Sequence, residues 1–162
     1  MKTSPADSTD KLLRGTIELA RKHAGGGAGG PFGAVIARDG KIIGRGWNKV
    51  SSTNDPTAHA EVVAIRAACR AERKFHLHGC VLYTSCEPCP MCLAAAYWAH
   101  VDKIVFAATR RDAAGIGFDD AFLYGEFGRD LKKRRVPMQQ LLRMEASSMM
   151  RAWHEMPGRV LY

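Results

Sequence analysis

The stretch that decides the fold runs from Thr57 to Trp98. It opens Thr57-Ala58-His59-Ala60-Glu61 and closes Cys86-Glu87-Pro88-Cys89-Pro90-Met91-Cys92-Leu93-Ala94-Ala95-Ala96-Tyr97-Trp98. His59, Cys89 and Cys92 supply one imidazole and two thiolates. That set suits a borderline-soft, four-coordinate zinc ion and leaves its fourth position open. A closed structural site wants a fourth protein ligand, whereas an open position takes water, whose pKa zinc lowers to about 7. Glu61 follows His59 by two residues, on the same first helical turn. A carboxylate placed there can stand beside the water and carry protons without ligating the metal. The competing reading, a structural site completed by another His or Cys with Cys86 the nearest candidate, leaves Glu61 without a role; Cys86 itself reads as a small buried residue at a strand end.

Working outward, Asp55-Pro56 reads as a helix start, an N-cap acceptor followed by Pro at the first helical position. From Ala58 to Cys69 the helix is apolar on most faces and is expected to be buried. Pro90 begins a second such helix. Both ligand sets then sit at helix N-termini, where orphan N–H groups and the positive end of the dipole favour thiolates and hydroxide. Upstream, Thr9 to His23 has the spacing of an amphipathic helix, with Leu12, Leu13, Ile17, Leu19 and Ala20 apolar. The run Gly25–Gly30 ends it as a flexible turn; no Gly-Lys-Ser/Thr follows, so it is not a phosphate loop. Phe32–Ala37 reads as a buried strand, Asp39-Gly40 as a two-residue hairpin turn, and Ile42–Trp47 as the antiparallel return. Asn48–Asn54 is a polar loop. Cys80–Thr84 and Lys103–Ala107 are a third and fourth strand. Strand–helix–strand alternation there implies parallel pairing, with the ligand helices covering one face of the sheet. Val136–Arg143 is a candidate fifth strand and Ser147–Glu155 a short helix capped by Ser147 or Ser148.

The 162 residues, 46% hydrophobic and 25% charged, suit one soluble globular domain with its own core. Residues 1–8 read as a flexible tail that lacks the apolar core of a signal peptide, and residues 9–162 as a single zinc domain. Five cysteines, three of them assigned to the metal, argue for a reducing, cytoplasmic setting without disulfides. No apolar run is long enough to span a bilayer, so no membrane partner is expected. The net charge of +8 is scattered apart from Lys132-Lys133-Arg134-Arg135 and is not interleaved with aromatics. A solvated basic surface is the favoured reading over a nucleic-acid partner.

His-x-Glu followed by Pro-Cys-x-x-Cys is the pattern of zinc-dependent nucleobase deaminases. The runs Gly30–Val35, Asn54–Val62 and Leu82–Cys92 closely resemble the bacterial guanine deaminases of the cytidine-deaminase-like superfamily. So do Tyr97-Trp98-Ala99 and Ala114-x-x-Gly117-Phe118-Asp119-Asp120-x-Phe122-x-Tyr124. Gly-Phe-Asp-Asp is the discriminating part, since it points to the guanine and guanosine branch. The resemblance implies a three-layer α/β/α fold with a central mixed five-stranded sheet, one Zn2+ per subunit, and a homodimer in which the segment from about 130 to 162 is domain-swapped. It also implies substrate contacts: Asn48 and Asp120 on the purine edge, Phe32 and Trp98 flanking its ring, the Ala60 backbone N–H helping to hold it, and Tyr162 from the partner chain. The reaction implied is hydrolytic deamination of guanine to xanthine and ammonia, with Glu61 moving the protons. Guanosine deamination and tRNA adenosine deamination are the enzymatic alternatives. A non-catalytic, zinc-stabilised nucleic-acid-binding module is the alternative from another class.

Overall fold

The computed structural model describes residues 5–27 and 29–162. Two compact units make it up, one ending at Asp120 and the other comprising Ala121–Tyr162. In the first, helix α1 (Pro5–Ala24) precedes strands β1 (Gly33–Arg38) and β2 (Lys41–Trp47) and a single helical turn, α2 (Val50–Thr53). Then come α3 (Ala60–Glu72), β3 (Cys80–Cys86), α4 (Pro90–Trp98), β4 (Lys103–Ala108) and α5 (Arg110–Gly115). The expected tail over residues 1–8 is thereby shortened, since α1 begins at Pro5; residues 1–4 lie outside the described residues.

The sheet order is β2-β1-β3-β4. β1 pairs antiparallel with β2 and β3, and β3 pairs parallel with β4 across the α4 crossover. The hairpin between β1 and β2 turns through Asp39 and Gly40, both at positive φ, the backbone a two-residue primed turn requires. Period-two alternation splits the core. Ala34, Ile36 and Leu82 face α3 and α4, in one cluster with Ala60, Ala64, Ala68 and Ala96. Val35, Ala37 and Tyr83 point the other way, in a second cluster with Leu12 of α1. The result is the expected three layers. The alanine-rich face of α3 lets it lie directly on the hairpin. A Cβ added at Gly46 would stand 2.1 Å from the Ala60 carbonyl oxygen, so only glycine permits that approach.

Three further expectations need correction. Among the described residues the sheet has four strands, not five: Val136–Arg143 forms no strand, and the final helix begins within it at Arg143. A strand exists only against a neighbour that takes its backbone hydrogen bonds, and within the chain β4 is paired on one side alone, with β3. Asp55-Pro56 does not start α3. Asp55 instead closes a turn, its Oδ1 accepting from the Thr57 N–H at 2.8 Å and from the Thr57 hydroxyl at 2.6 Å, and the N-cap of α3 is His59. Finally, the last helix starts not at Ser147 but four residues earlier.

The second unit holds α6 (Ala121–Phe127), a 3-10 turn (Leu131–Lys133) and α7 (Arg143–Glu155). None of its residues is buried.

Candidate active site

His59 and Cys89 occupy equivalent places, the N-caps of α3 and α4, and neither side chain caps its own helix. Both turn inward, toward Cys92 in the first turn of α4. Pro90 at the first helical position and the extended backbone of Cys89 set that turn. The Nδ1 of His59 lies 3.5 Å from each sulfur, and one donor atom from each of the three residues lies within 4.8 Å of the others. Ligands at about 2.3 Å (S) and 2.0–2.1 Å (N) from a tetrahedral centre stand about 3.5 Å apart, so the donor set fits zinc.

The electrostatics of the cluster are those of one proton shared among soft donors. Donation from Cys92 holds the Cys89 thiol down to about 4, with burial opposing and His59 assisting. Cys92 moves the opposite way, above the thiol range, because it keeps the proton it gives to Cys89 and is buried. The hydrogen bond to Cys89 also raises the pKa of His59. His59, Cys89 and Cys92 would hold a divalent cation in place of that proton, with both sulfurs as thiolates.

Glu61, in the first turn of α3, is 6% exposed and is not one of the three convergent donors. Its Oε2 accepts from Cys92 Sγ at 3.4 Å and its Oε1 from the Thr84 hydroxyl at 3.4 Å. Burial raises its pKa above the ordinary carboxyl value, the direction that suits a group which must both take and return a proton. Cys86 stands apart from the donors: it ends β3, its thiol donates to the Thr109 carbonyl at 3.6 Å, and burial pushes it up to about 11.

Of the residues expected around a substrate, several converge. Asn48, 6% exposed, donates its main-chain N–H to the Phe32 carbonyl, and the Lys49 N–H donates to the Ala58 carbonyl beside His59. The Oδ1 of Asn48 accepts from the Val50 N–H at 3.2 Å, so its amide NH2 is the end to offer a ligand. Ser85 Oγ accepts from the Gly33 N–H at 3.0 Å and anchors the end of β1 next to Phe32. Ala60 is fully buried at the first position of α3, where backbone N–H groups have no intrahelical acceptor. Asp120 is half-buried while Asp119 is exposed. Burial first, and then the negative charge of Cys89, raise the Asp120 pKa, which puts it within electrostatic reach of the metal ligands. Trp98 lies at the far end of α4, about 9 Å along the axis from Cys92, and is 64% exposed. Tyr162 belongs to the second unit and is 74% exposed.

Two features are not evident in the sequence. Phe118 packs edge-on against Phe32, with ring centroids 5.0 Å apart at 87°. This gives Gly29 and Gly30 a packing role in place of the expected flexible turn. A Cβ on Gly29 would fall 2.2 Å from Asn48 Oδ1, and one on Gly30 would fall 2.9–3.0 Å from the Phe32 and Phe118 rings. The other is Thr84, whose signal is a lone polar residue on an apolar strand face. An apolar groove of about 550 Å³ lies between α1 and α5, with Ile17, Ala20, Phe32, Ala107 and Ile116 on its walls. None of the zinc donors lines it.

A His/Cys/Cys donor set with a buried glutamate, at the N-termini of two helices laid on one face of a mixed sheet, defines a zinc-dependent hydrolytic deaminase site. Residues 7–108 match the family described as the cytidine and deoxycytidylate deaminase zinc-binding region, and the chain belongs to that family. Within it, the chain is 46% identical to the guanine deaminase of Bacillus subtilis, over 94% of this chain and 98% of that protein. The crystal structure of the Bacillus subtilis guanine deaminase superposes with a TM-score of 0.91 over the same shares. The guanine deaminase structure from Nitrosomonas europaea superposes with a TM-score of 0.66 at 29% identity, over 94% of this chain and 85% of that one. The tRNA-specific adenosine deaminase of Aquifex aeolicus is 42% identical, but over only 53% of this chain and 57% of that protein.

Proposed function

We propose that the protein deaminates guanine hydrolytically, giving xanthine and ammonia, with one zinc ion per subunit. The observation that carries the guanine assignment is the extent of the likeness to the Bacillus subtilis guanine deaminase, which includes the second unit. The zinc ion, held by His59, Cys89 and Cys92, would supply a water of near-neutral pKa. Glu61 would take one proton of the attacking water and give it to N3 as the C2–O bond forms, then take the second from the new C2 hydroxyl and give it to the amine as the C2–N bond breaks. Asp120 accepts from the donor groups at N1 and the amine, the Asn48 amide donates to the acceptor edge, and Phe32 and Trp98 flank the ring. The Ala60 N–H holds the purine from the helix terminus. An ammonia-release screen against guanine, guanosine, adenine, cytosine and amino-triazines tests the assignment. Guanine is expected to lead, and Asp120→Ala to lower its kcat/KM by about 10²-fold or more, because a site built for those donors is then unpaired. Comparable loss in Asp119→Ala with a silent Asp120→Ala would move the role to its neighbour.

The working form is proposed to be a cytoplasmic homodimer whose C-terminal segment, Tyr162 included, crosses to the partner and closes its pocket. The second unit supports this reading, since Met144, Met149, Met150, Trp153, Leu161 and Tyr162 are all exposed. So does β4, an edge strand whose Phe106 is 44% exposed. Apolar surface on that scale marks an interaction site. Five free thiols suit a reducing compartment. Among the described residues no helix is long and apolar enough to cross a membrane. The basic run is engaged within its own unit: Lys133 pairs with Asp130 at 3.4 Å, Arg134 donates to the Phe127 and Arg129 carbonyls, and Arg135 lies over the Phe122 ring. That use favours a small-molecule substrate over nucleic acid.

A further inference from the structure

Strand β3 carries a polar residue where its face toward α3 and α4 should be apolar. Leu82 and Thr84 point to the same side, and Leu82 belongs to the cluster built on Ala60, Ala64 and Ala96. Thr84 is 1% exposed. It sits on an inner strand, paired with Ala34 of β1 on one side and Phe106 of β4 on the other, so its backbone is held from both directions. A buried hydroxyl needs a partner, and the one Thr84 has is Glu61 Oε1, at 3.4 Å.

The other side-chain donor atom against this carboxyl group is Cys92 Sγ, 3.4 Å from Oε2, whose single S–H is shared with Cys89. That bond requires a protonated sulfur. Cys92 is also one of the three convergent donors, and a thiol that ligates a metal does so as thiolate. Thr84 is the side-chain donor to Glu61 that lies outside the three convergent donors, on the strand side of the carboxyl group. A contact of 3.4 Å is long, as hydrogen bonds to catalytic groups often are before substrate binds.

We propose that Thr84 is a positioning residue that fixes the Glu61 carboxyl group, from the strand side, within reach of the reacting atoms. The inference rests on Glu61 as the proton carrier. A carboxyl group held at one oxygen by a strand presents the other toward the metal ligands. Without that hold it can rotate away, and groups that support a metal site from outside typically cost about 10- to 100-fold in activity when removed.

Thr84→Val keeps the shape and removes the donor. It is expected to retain one zinc per chain and to lower kcat for guanine about 10- to 100-fold, with KM moving less than about threefold. Thr84→Ser, which keeps the hydroxyl and loses the methyl, is expected to restore most of kcat even with a lower melting temperature. A readout independent of turnover is the isotope-edited infrared spectrum of the zinc-loaded protein, in which the difference between wild type and Glu61→Gln assigns the Glu61 band. That band should shift in Thr84→Val and return in Thr84→Ser. Wild-type kcat and an unshifted band in Thr84→Val overturn the inference. Equal kcat losses in Thr84→Ser and Thr84→Ala overturn it too, and that pair decides the matter even if the valine variant fails to fold. Failure of the underlying reading looks different: Glu61→Gln itself would remain active.

Discussion

The two units of the chain share a hydrophobic composition but not a hydrophobic core. In the first, every strand but the last is lined with buried residues, and burial runs from Leu12 to Ala99. In the second, α7 has an amphipathic pattern, yet its methionines and Trp153 remain exposed. Local propensity and capping are enough to form a helix; they do not give it anything to bury. The first unit thus holds the chemistry and the fold that aims it. The second carries apolar side chains that it leaves exposed.

The sharpest way to isolate the chemistry is Glu61→Gln. Turnover should fall by about 10²–10⁴-fold, while zinc measured by atomic absorption stays at one per chain; loss of the metal would make Glu61 a ligand and undo the mechanism. The division of labour between units is broken or upheld by complementation. Glu61→Ala and a variant lacking the last few residues should each be inactive. Unfolded together and refolded as a mixture, they should regain about a quarter of wild-type turnover, because half the dimers are mixed and one site in each is whole. Mixed dimers that form and stay inactive would place the tail over its own subunit.

A smaller effect tests what the site costs the first unit. Burial raises the pKa of Glu61 above its unfolded value. Such a group contributes stability that is present below the unfolded pKa, about 4.3, and lost as pH rises through the folded one. In zinc-free protein, Glu61→Gln should therefore melt higher than wild type at pH 7, and the difference should close as pH falls toward 4. Equal melting temperatures across that range would mean the carboxylate is fully compensated. The smallest expected effect is at α5, where Thr109 caps the helix and Asp112 caps Thr109 in return. Thr109→Ala should cost about 1 kcal/mol by denaturant titration at neutral pH. The capping bonds from Thr109 hold the Asp112 pKa below its ordinary value. The part carried by the Thr109 hydroxyl is present above the unfolded carboxyl pKa and lost as pH falls through the folded one, so the gap between variant and wild type should narrow in acid, while the backbone N–H of residue 109 serves Asp112 in both.

The metal site is legible in the sequence to an unusual degree, for a physical reason. The ligands sit at the ends of two helices, where a short, fixed spacing sets their mutual geometry: His59 and Glu61 share one turn, Cys89 and Cys92 another. The hairpin at Asp39-Gly40 is likewise a local matter, since two residues of positive φ suffice. The start of α3 is less legible. Asp55-Pro56 carries a helix-start pattern, but the Asp55 carboxylate is satisfied sooner by Thr57, and the helix waits until His59.

The sequence by itself determines which side chains can hold zinc, which can carry a proton, and that a mixed sheet flanked by helices presents them. Only the tertiary structure decides what depends on contacts between distant segments. It brings Phe118 onto Phe32, Gly29 against Asn48, Asp120 into the field of Cys89, and Thr84 beneath Glu61. It also leaves Val136–Arg143 without a strand's partner. Spacing along a chain fixes neighbours within a turn of helix or a pair of strands; which segments then meet is set by burial and by backbone groups that must find acceptors, and those are properties of the packed chain.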